Sequence, residues 1–430
     1  MSTPYSSTFN SELIKNKVNA FPLASQMLAF FIWLSIFIPG QKLNWALEQL
    51  LSVAIAFCSI LFLCFHKRLP SKFCELPMKY IAGVFLIVWF IVMLGYMLNI
   101  FKPGLVTGIR DIAEIPRYFI YFLFLVLIAA GNKIIIPTLE KTIPYVCAFS
   151  TLVFVAFYIH LPFLSSFFKF LYSDAKQYYA IILRLAAPFP NPNFLGFFLI
   201  MCLSYLLFFS KHRYALIQAF LCVILIFATG SRSAWFSSAI VLFSFLLVSL
   251  KDVIVFRKWK SFCKGAFVIL IVFITILYAG TIVMNNSRTK LLVSALQNGD
   301  VFNDYSAAGR LDMIKKAFDY YSDKPFIGTG SSKYSLMDIV DNQFALWAIR
   351  LGTIGILVIC YFFIAIFMIQ WKLANSFKYK VGLMGFWLSV FLMLQTGAFL
   401  ENYRLFFLFS VFIASITSNL KLARYKLNAA

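Results

Sequence analysis

Apolar residues run along this chain in blocks of about 20, the length an α-helix needs to cross a hydrocarbon core, and polar residues are confined to the gaps between them. The blocks fall near residues 21–38, 46–65, 80–100, 115–130, 142–163, 193–209, 214–229, 234–250, 265–284, 343–369, 381–400 and 405–420. They predict an all-α polytopic membrane protein with about twelve transmembrane helices. On this reading, residues 1–284 carry helices 1 to 9 with short loops and one external loop at 164–192. Residues 285–340 form a large external loop, and 341–430 carry helices 10 to 12 and a cytoplasmic tail. The first block runs into Pro39, Gly40, Gln41 and Lys42 without a small-residue cleavage site, so it reads as an uncleaved helix.

The segment 285–340 is too long for a simple connection, and loops of that size tend to carry function. Leu311, Ile314, Phe318 and Tyr321 recur at helical spacing, with Asp312, Lys315, Lys316 and Asp319 off the stripe. The spacing predicts an amphipathic helix from about Ala308 to Tyr321, ended by Pro325, Gly328 and Gly330 and lying on the membrane surface.

Composition agrees with a chain whose main solvent is lipid. Apolar residues make up 62% and charged residues only 13%, about half the share in an ordinary soluble domain. The net charge of +22 would suggest a nucleic-acid partner in a soluble protein, but here the basic residues sit between apolar blocks. They act there as topology determinants, and no nucleic acid is expected. With a cytoplasmic N-terminus, alternate gaps place 21 Lys and Arg inside and 17 outside. Ten of the 17 lie in the two long segments, seven in 285–340 and three in 164–192, so the short gaps read 21 against 7. The asymmetry predicts an inner-membrane protein with both termini cytoplasmic. No cysteine falls in an external loop, so no disulfide framework is expected.

The candidate chemistry is dominated by arginines on the external side or at span edges: Arg110, Arg117, Arg184, Arg232, Arg310, Arg350 and Arg404. Ionisable groups there face a cavity or a partner, since the bilayer penalises them. Each could instead snorkel or pair with Glu114, Asp341 or Glu401. As a set they suit an anionic ligand, and the planar guanidinium fork fits phosphate or pyrophosphate best. Asp341 and Asn342 open the tenth span, where either could also cap the helix. Asp300, Asp304 and Asp338 match no calcium loop, so no metal is expected. His160 is the single external histidine, no Ser/His/Asp arrangement can be read, and no P-loop occurs. Pro190-Asn191-Pro192-Asn193 with Gly196 reads as a rigid turn feeding an asparagine-capped helix whose N-terminus would favour an anion.

At four places the chain resembles the O-antigen ligase and polymerase superfamily, whose members transfer polyprenyl-diphosphate-linked glycans at the external face of the inner membrane. The patches are Asn191-Pro192-Asn193 with Gly196; Thr229-Gly230-Ser231-Arg232; Gly309-Arg310-Leu311, an amphipathic helix and Pro325 to Gly330; and Asp341-Asn342-Gln343-Phe344 with Gly352 and Gly355. Ligases of this superfamily characteristically carry a histidine where this chain has Asp341, so the Asp-Asn form looks more like the polymerases. The resemblance implies Arg232, Arg310 and Asp341 as catalytic residues. The two arginines would stabilise the diphosphate, and Asp341 would serve as base or acceptor-orienting group. Arg117, Arg184, Asn193 and Asn342 are the implied substrate-binding residues. The implied activity is polymerisation of a surface polysaccharide from undecaprenyl-diphosphate-linked repeat units, with no cofactor. Membrane lipid is a partner, and a chain-length regulator protein is a candidate partner. The alternatives are an O-antigen ligase acting on lipid A core and, from another class, a lipid-linked glycan transporter or flippase.

Overall fold

A computed structural model describes residues 22–38, 44–65, 78–100, 109–112, 114–159, 161–172, 184–256, 305–330 and 342–428. Numbered in chain order among them, the helices are α1 (Pro22–Phe37), α2 (Asn44–Phe65), α3 (Met78–Ile100), the single turn α4 (Ile109–Ile112), α5 (Arg117–Ala130), α6 (Asn132–Tyr158), α7 (Pro162–Leu171) and α8 (Pro192–Phe208). There follow α9 (Ala215–Ala228), α10 (Arg232–Phe256), α11 (Tyr305–Asp323), α12 (Gln343–Leu373), α13 (Phe377–Leu394), a 3₁₀ turn at Phe399–Glu401 and α14 (Tyr403–Asn428). Among the described residues there is no strand. Among the described residues, five helices are long and apolar enough to cross a membrane and six shorter ones are apolar, so the protein is an all-α polytopic membrane protein. The expected span at 265–284 lies outside the described residues.

Helix α14 is the centre of the bundle. Of its membrane-length window 83% is buried, against 33–50% for the other four long helices, and it touches α1, α2, α5, α6, α8 and α12. Its neighbours enclose it with aromatic rings, as where Phe406 stacks on Tyr121 at 3.8 Å between centroids. Small residues let helices approach elsewhere: Ser237 and Ser389 exchange side-chain to backbone hydrogen bonds between α10 and α13, and a Cβ on Gly385 would lie 2.6 Å from Ser244 Oγ.

Three boundaries differ from the hydropathy reading. The helix expected at 142–163 starts at Asn132, with Pro137 and Pro144 inside it, and stops at Tyr158. Leu161 is extended and Pro162 opens the separate helix α7, because a proline ring suits a first turn but clashes inside a helix. The span expected to end near 400 stops at Leu394, and the chain then makes the 3₁₀ turn.

The third difference is a break inside α12, read from sequence as one continuous span. Gly352 adopts φ 62°, ψ −168°, a conformation that side chains with a Cβ rarely tolerate. The segment 325–330 fills the break. Thr329 and Gly330 donate their backbone N–H groups to the carbonyls of Ile349 and Arg350 at 2.7 and 2.9 Å. Thr353 and Ile354 donate theirs to Pro325 and Phe326 at 2.7 and 3.1 Å. Every backbone group freed at membrane depth needs such a partner. Gly330 also presses on α3, where a Cβ would meet the backbone of Tyr96 and Val92.

Helix α11 covers the predicted amphipathic stretch and packs on α12. Its contact is made by Ala317, buried against Leu346 and Ile349, and by Tyr321, whose hydroxyl lies 2.7 Å from Thr353 Oγ1. Phe318 of the predicted stripe is 66% exposed, because the small Ala317 sets the line of closest approach.

Candidate functional site

The N-terminal ends of α5, α8, α10, α12 and α14 gather at one end of the bundle, and the buried ionisable groups collect there. Arg117 begins α5 and reaches Glu114 in the turn before it, Nε donating at 2.6 Å and Nη2 pairing with the other carboxylate oxygen. Glu401 of the 3₁₀ turn lies 3.3 Å from Arg117 Nε and 2.5 Å from Arg350 Nη1. Arg350, on the half of α12 before the break, also lies 3.3 Å from Glu114. The four side chains form one buried quartet of two cations and two anions.

Neutral groups complete its shell. Tyr118 and Gln343 donate to Glu401 at 3.0 and 3.4 Å, while Gln343 accepts from the Leu400 N–H at 2.9 Å. Tyr121 donates to the Leu400 carbonyl at 2.6 Å, and Arg117 lies 4.4 Å over the Tyr403 ring. Arg350 Nε donates to the Gly330 carbonyl at 3.3 Å, tying the quartet to the segment that fills the helix break. Among the described residues, Arg350 Nη2 has no hydrogen-bond partner. Such a cluster is tolerable in a low-dielectric interior only because each charge is met by an opposite one.

Beside it, a second arginine network joins two sequence patches. Asn191 caps α8 by accepting from the Asn193 N–H at 2.8 Å, with Pro192 at the first helical position. Arg184 donates from Nε to the Thr229 carbonyl at 2.9 Å and from Nη2 to Asn193 Oδ1 at 3.2 Å. Gly230 turns the chain between α9 and α10 with φ 61°, and a Cβ there would sit 3.2 Å from the Arg184 side chain. Gly196 faces Ala234, whose Cβ would be 2.9 Å away from an added Cβ. Arg232 is the first residue of α10 and is partly exposed.

The remaining buried arginine holds architecture together. Arg404 at the start of α14 donates to the carbonyls of Ser35 and Ile36, the unsatisfied end of α1, and to Pro188 O at 2.9 Å. Its guanidinium lies 4.3 Å over the Phe189 ring and 3.9 Å from Glu48.

The structure thus brings Arg184, Asn193 and the Thr229–Arg232 turn together, and it places Arg117 in the buried quartet. Asn342 is the N-cap of α12: it accepts from the Ala345 N–H at 3.0 Å and donates to Gln395 O at 3.0 Å. Arg310 lies on α11, with its side chain outside what is described, and Asp341 and His160 lie outside the described residues. Sequence reasoning had named Glu114 and Glu401 only as alternative partners for arginines. It missed the bridging Gln343, the Arg404 clamp and the crossing of 325–330 through α12. The signal for the crossing was the pairing of Gly328 and Gly330 with Gly352, three glycines at positive φ.

The 3₁₀ turn links the two networks, since Phe399 stacks on Phe197 at 4.9 Å and contacts Phe194, both on α8, while Glu401 holds the arginines of α5 and α12. Compared with curated proteins, the chain finds no match. Residues 217–360, about a third of the chain, match the family model described as O-antigen ligase. That stretch holds the Arg232 turn, the whole of α11, the 325–330 crossing and the break at Gly352. This match supports the chain's resemblance to the O-antigen ligase and polymerase superfamily over that third of its length.

Proposed function

We propose that the protein is a polymerase of O-antigen or a related surface polysaccharide. It would move a growing glycan from undecaprenyl diphosphate to the terminal sugar of the next lipid-linked repeat, on the periplasmic face of the inner membrane. The observation that carries this reading is the joining of two patches by Arg184. Its guanidinium ties the capped N-terminus of α8 to the turn that opens α10 with Arg232. The N-termini of α8 and α10, the second opening on Arg232, are thereby held together beside Arg184, an arrangement that would favour a diphosphate.

In the reaction, the acceptor hydroxyl oxygen bonds to the anomeric carbon of the donor, and the bond from that carbon to the diphosphate oxygen breaks. The diphosphate leaves with the electron pair. Arg232 and Arg310 stabilise its growing charge, and Arg184 and Asn193 position it. Asp341 takes the hydroxyl proton or orients that hydroxyl, beside the Asn342 cap. Arg117 contributes through the quartet by fixing the 3₁₀ turn against α5. The leaving group is already activated, so orientation and charge stabilisation suffice.

The ligase reading has the family model's own description in its favour. Against it stands Asp341 where ligases carry histidine. One gel separates them. A polymerase defect leaves ligation working, so deletion or Asp341→Ala should give lipid A core capped with a single repeat unit. Bare core with accumulated long lipid-linked polymer would favour the ligase. Full activity in Asp341→Asn would leave residue 341 without a role as base, since an amide cannot accept the proton. For topology, cysteines introduced at Ser306 and Ser331 should react with an impermeant thiol reagent from outside. Labelling only after permeabilisation would place the reaction on the wrong side.

A further inference from the structure

The link between α13 and α14, residues 395–402, is held from two sides. On one side Phe399 stacks on Phe197 of α8 at 4.9 Å between ring centroids and meets Phe194 at 5.7 Å. Phe194 directly follows Asn193, whose side chain Arg184 holds. On the other side, two consecutive amides at the start of α12 grip the same link. Asn342 Nδ2 donates to the Gln395 carbonyl at 3.0 Å. Gln343, fully buried, accepts from the Leu400 N–H at 2.9 Å and donates from Nε2 to Glu401 at 3.4 Å.

The chemistry of position 343 is specific to an amide, which donates and accepts at once. A leucine would fill the volume and make neither bond. An ionised glutamate could accept from Leu400 but would face Glu401 as a second anion, and it could donate there only when protonated. Leu400 and Glu401 are buried, so an N–H left there without its acceptor costs its full desolvation.

We infer that Gln343 is a positioning residue for glycan transfer. It touches no reacting atom and acts through Leu400 and Glu401. By fixing the 3₁₀ turn to the start of α12, it sets the spacing between the donor half of the site, at Arg184, Asn193 and Arg232, and the acceptor half, which Asp341 and Asn342 open directly before it. The inference rests on the assignment of those two halves in the polymerase reading above. Loss of the spacing costs rate, since a misplacement of about 1 Å lowers transfer by about 100-fold. Binding of the diphosphate is left to other residues.

The test compares Gln343→Leu and Gln343→Glu with the parent, each full-length in proteoliposomes, using lipid-linked repeat units extracted from cells that lack the protein. Gln343→Leu should lose about 10- to 100-fold in kcat with KM near the parent's. Gln343→Glu should be as slow at pH 8 and recover, relative to the parent at each pH, as the pH falls to 5 and its carboxyl gains the proton it donates to Glu401. The other ionisable groups around Glu401 are Arg117, Tyr118, Arg350 and Glu114, all present in the parent and so removed by that ratio. Parental kcat in both variants, a raised KM with kcat unchanged, or a Gln343→Glu profile that stays low at every pH would each overturn the inference. Should Gln343→Leu fail to fold, as judged by its circular-dichroism melt, the pH profile of Gln343→Glu decides alone. A parent that makes no polymer but transfers glycan to lipid A core fails the polymerase reading, and the variants are then compared on that transfer. A parent that performs neither transfer overturns both.

Discussion

Two arginine networks lie at the same end of this bundle, and they are built in opposite ways. In the quartet, the Arg117 and Arg350 guanidinium groups meet the Glu114 and Glu401 carboxylates, and all four side chains are buried. In the turn network, Arg184 meets a backbone carbonyl and an amide oxygen, and Arg232 is partly exposed at a helix start. Buried guanidinium groups with carboxylate partners have their charge matched inside the protein, and their work is to hold elements in register. The hydrogen bonds of Arg184 to the Thr229 carbonyl and the Asn193 amide instead tie a turn to a helix cap. Position at a membrane boundary therefore does not by itself assign an arginine its role; for Arg117 and Arg350 the carboxylate partners do.

The sharpest way to break this comparison is Arg232→Ala. Glycan transfer should be abolished while insertion and thermal stability stay near those of the parent, and Lys should rescue only in part because it lacks the planar fork. The same is expected of Arg310→Ala, and parental activity in either would remove that residue from the reaction. On the quartet side the order reverses. Glu401→Ala leaves two buried cations with one anion, and the expected loss is about 3–5 kcal/mol, read as a lower unfolding temperature in detergent. An unchanged melting temperature would mean the quartet holds nothing together.

Gly330→Ala probes whether the quartet depends on the crossing through α12. Positive φ and the contact with the α3 backbone predict a loss of about 1–3 kcal/mol, with Arg350 losing its hold on the Gly330 carbonyl. A neutral effect would show that the crossing is not needed to place Arg350. The smallest effect is expected at the α12 cap. Asn342→Ala should cost about 1 kcal/mol, while Asn342→Asp should keep the cap. Loss of transfer in Asn342→Asp with unchanged stability would assign the amide a substrate contact beyond capping.

Much of the fold was legible because the bilayer imposes a length and a polarity that show directly in the chain. The starts of α8 and α12 were marked by Asn191-Pro192 and Asn342, since a cap is a local interaction between residues two or three apart. The helix at Tyr305–Asp323 was announced by its period, though not the choice of Ala317 over Phe318 as its contact.

The sequence by itself determined the class of protein, most of its helices and the set of arginines from which a site could be drawn, because these depend on composition and on spacings within one turn. Tertiary structure alone decided which arginine meets a carboxylate, for Glu401 lies 51 residues from Arg350 and far beyond any helical period. It alone decided that a glycine in an unbroken apolar run would be a break. Gly352 can take φ 62° only because Pro325 to Gly330 supplies partners for the backbone groups released there, and the strength of that exchange depends on contact between distant segments.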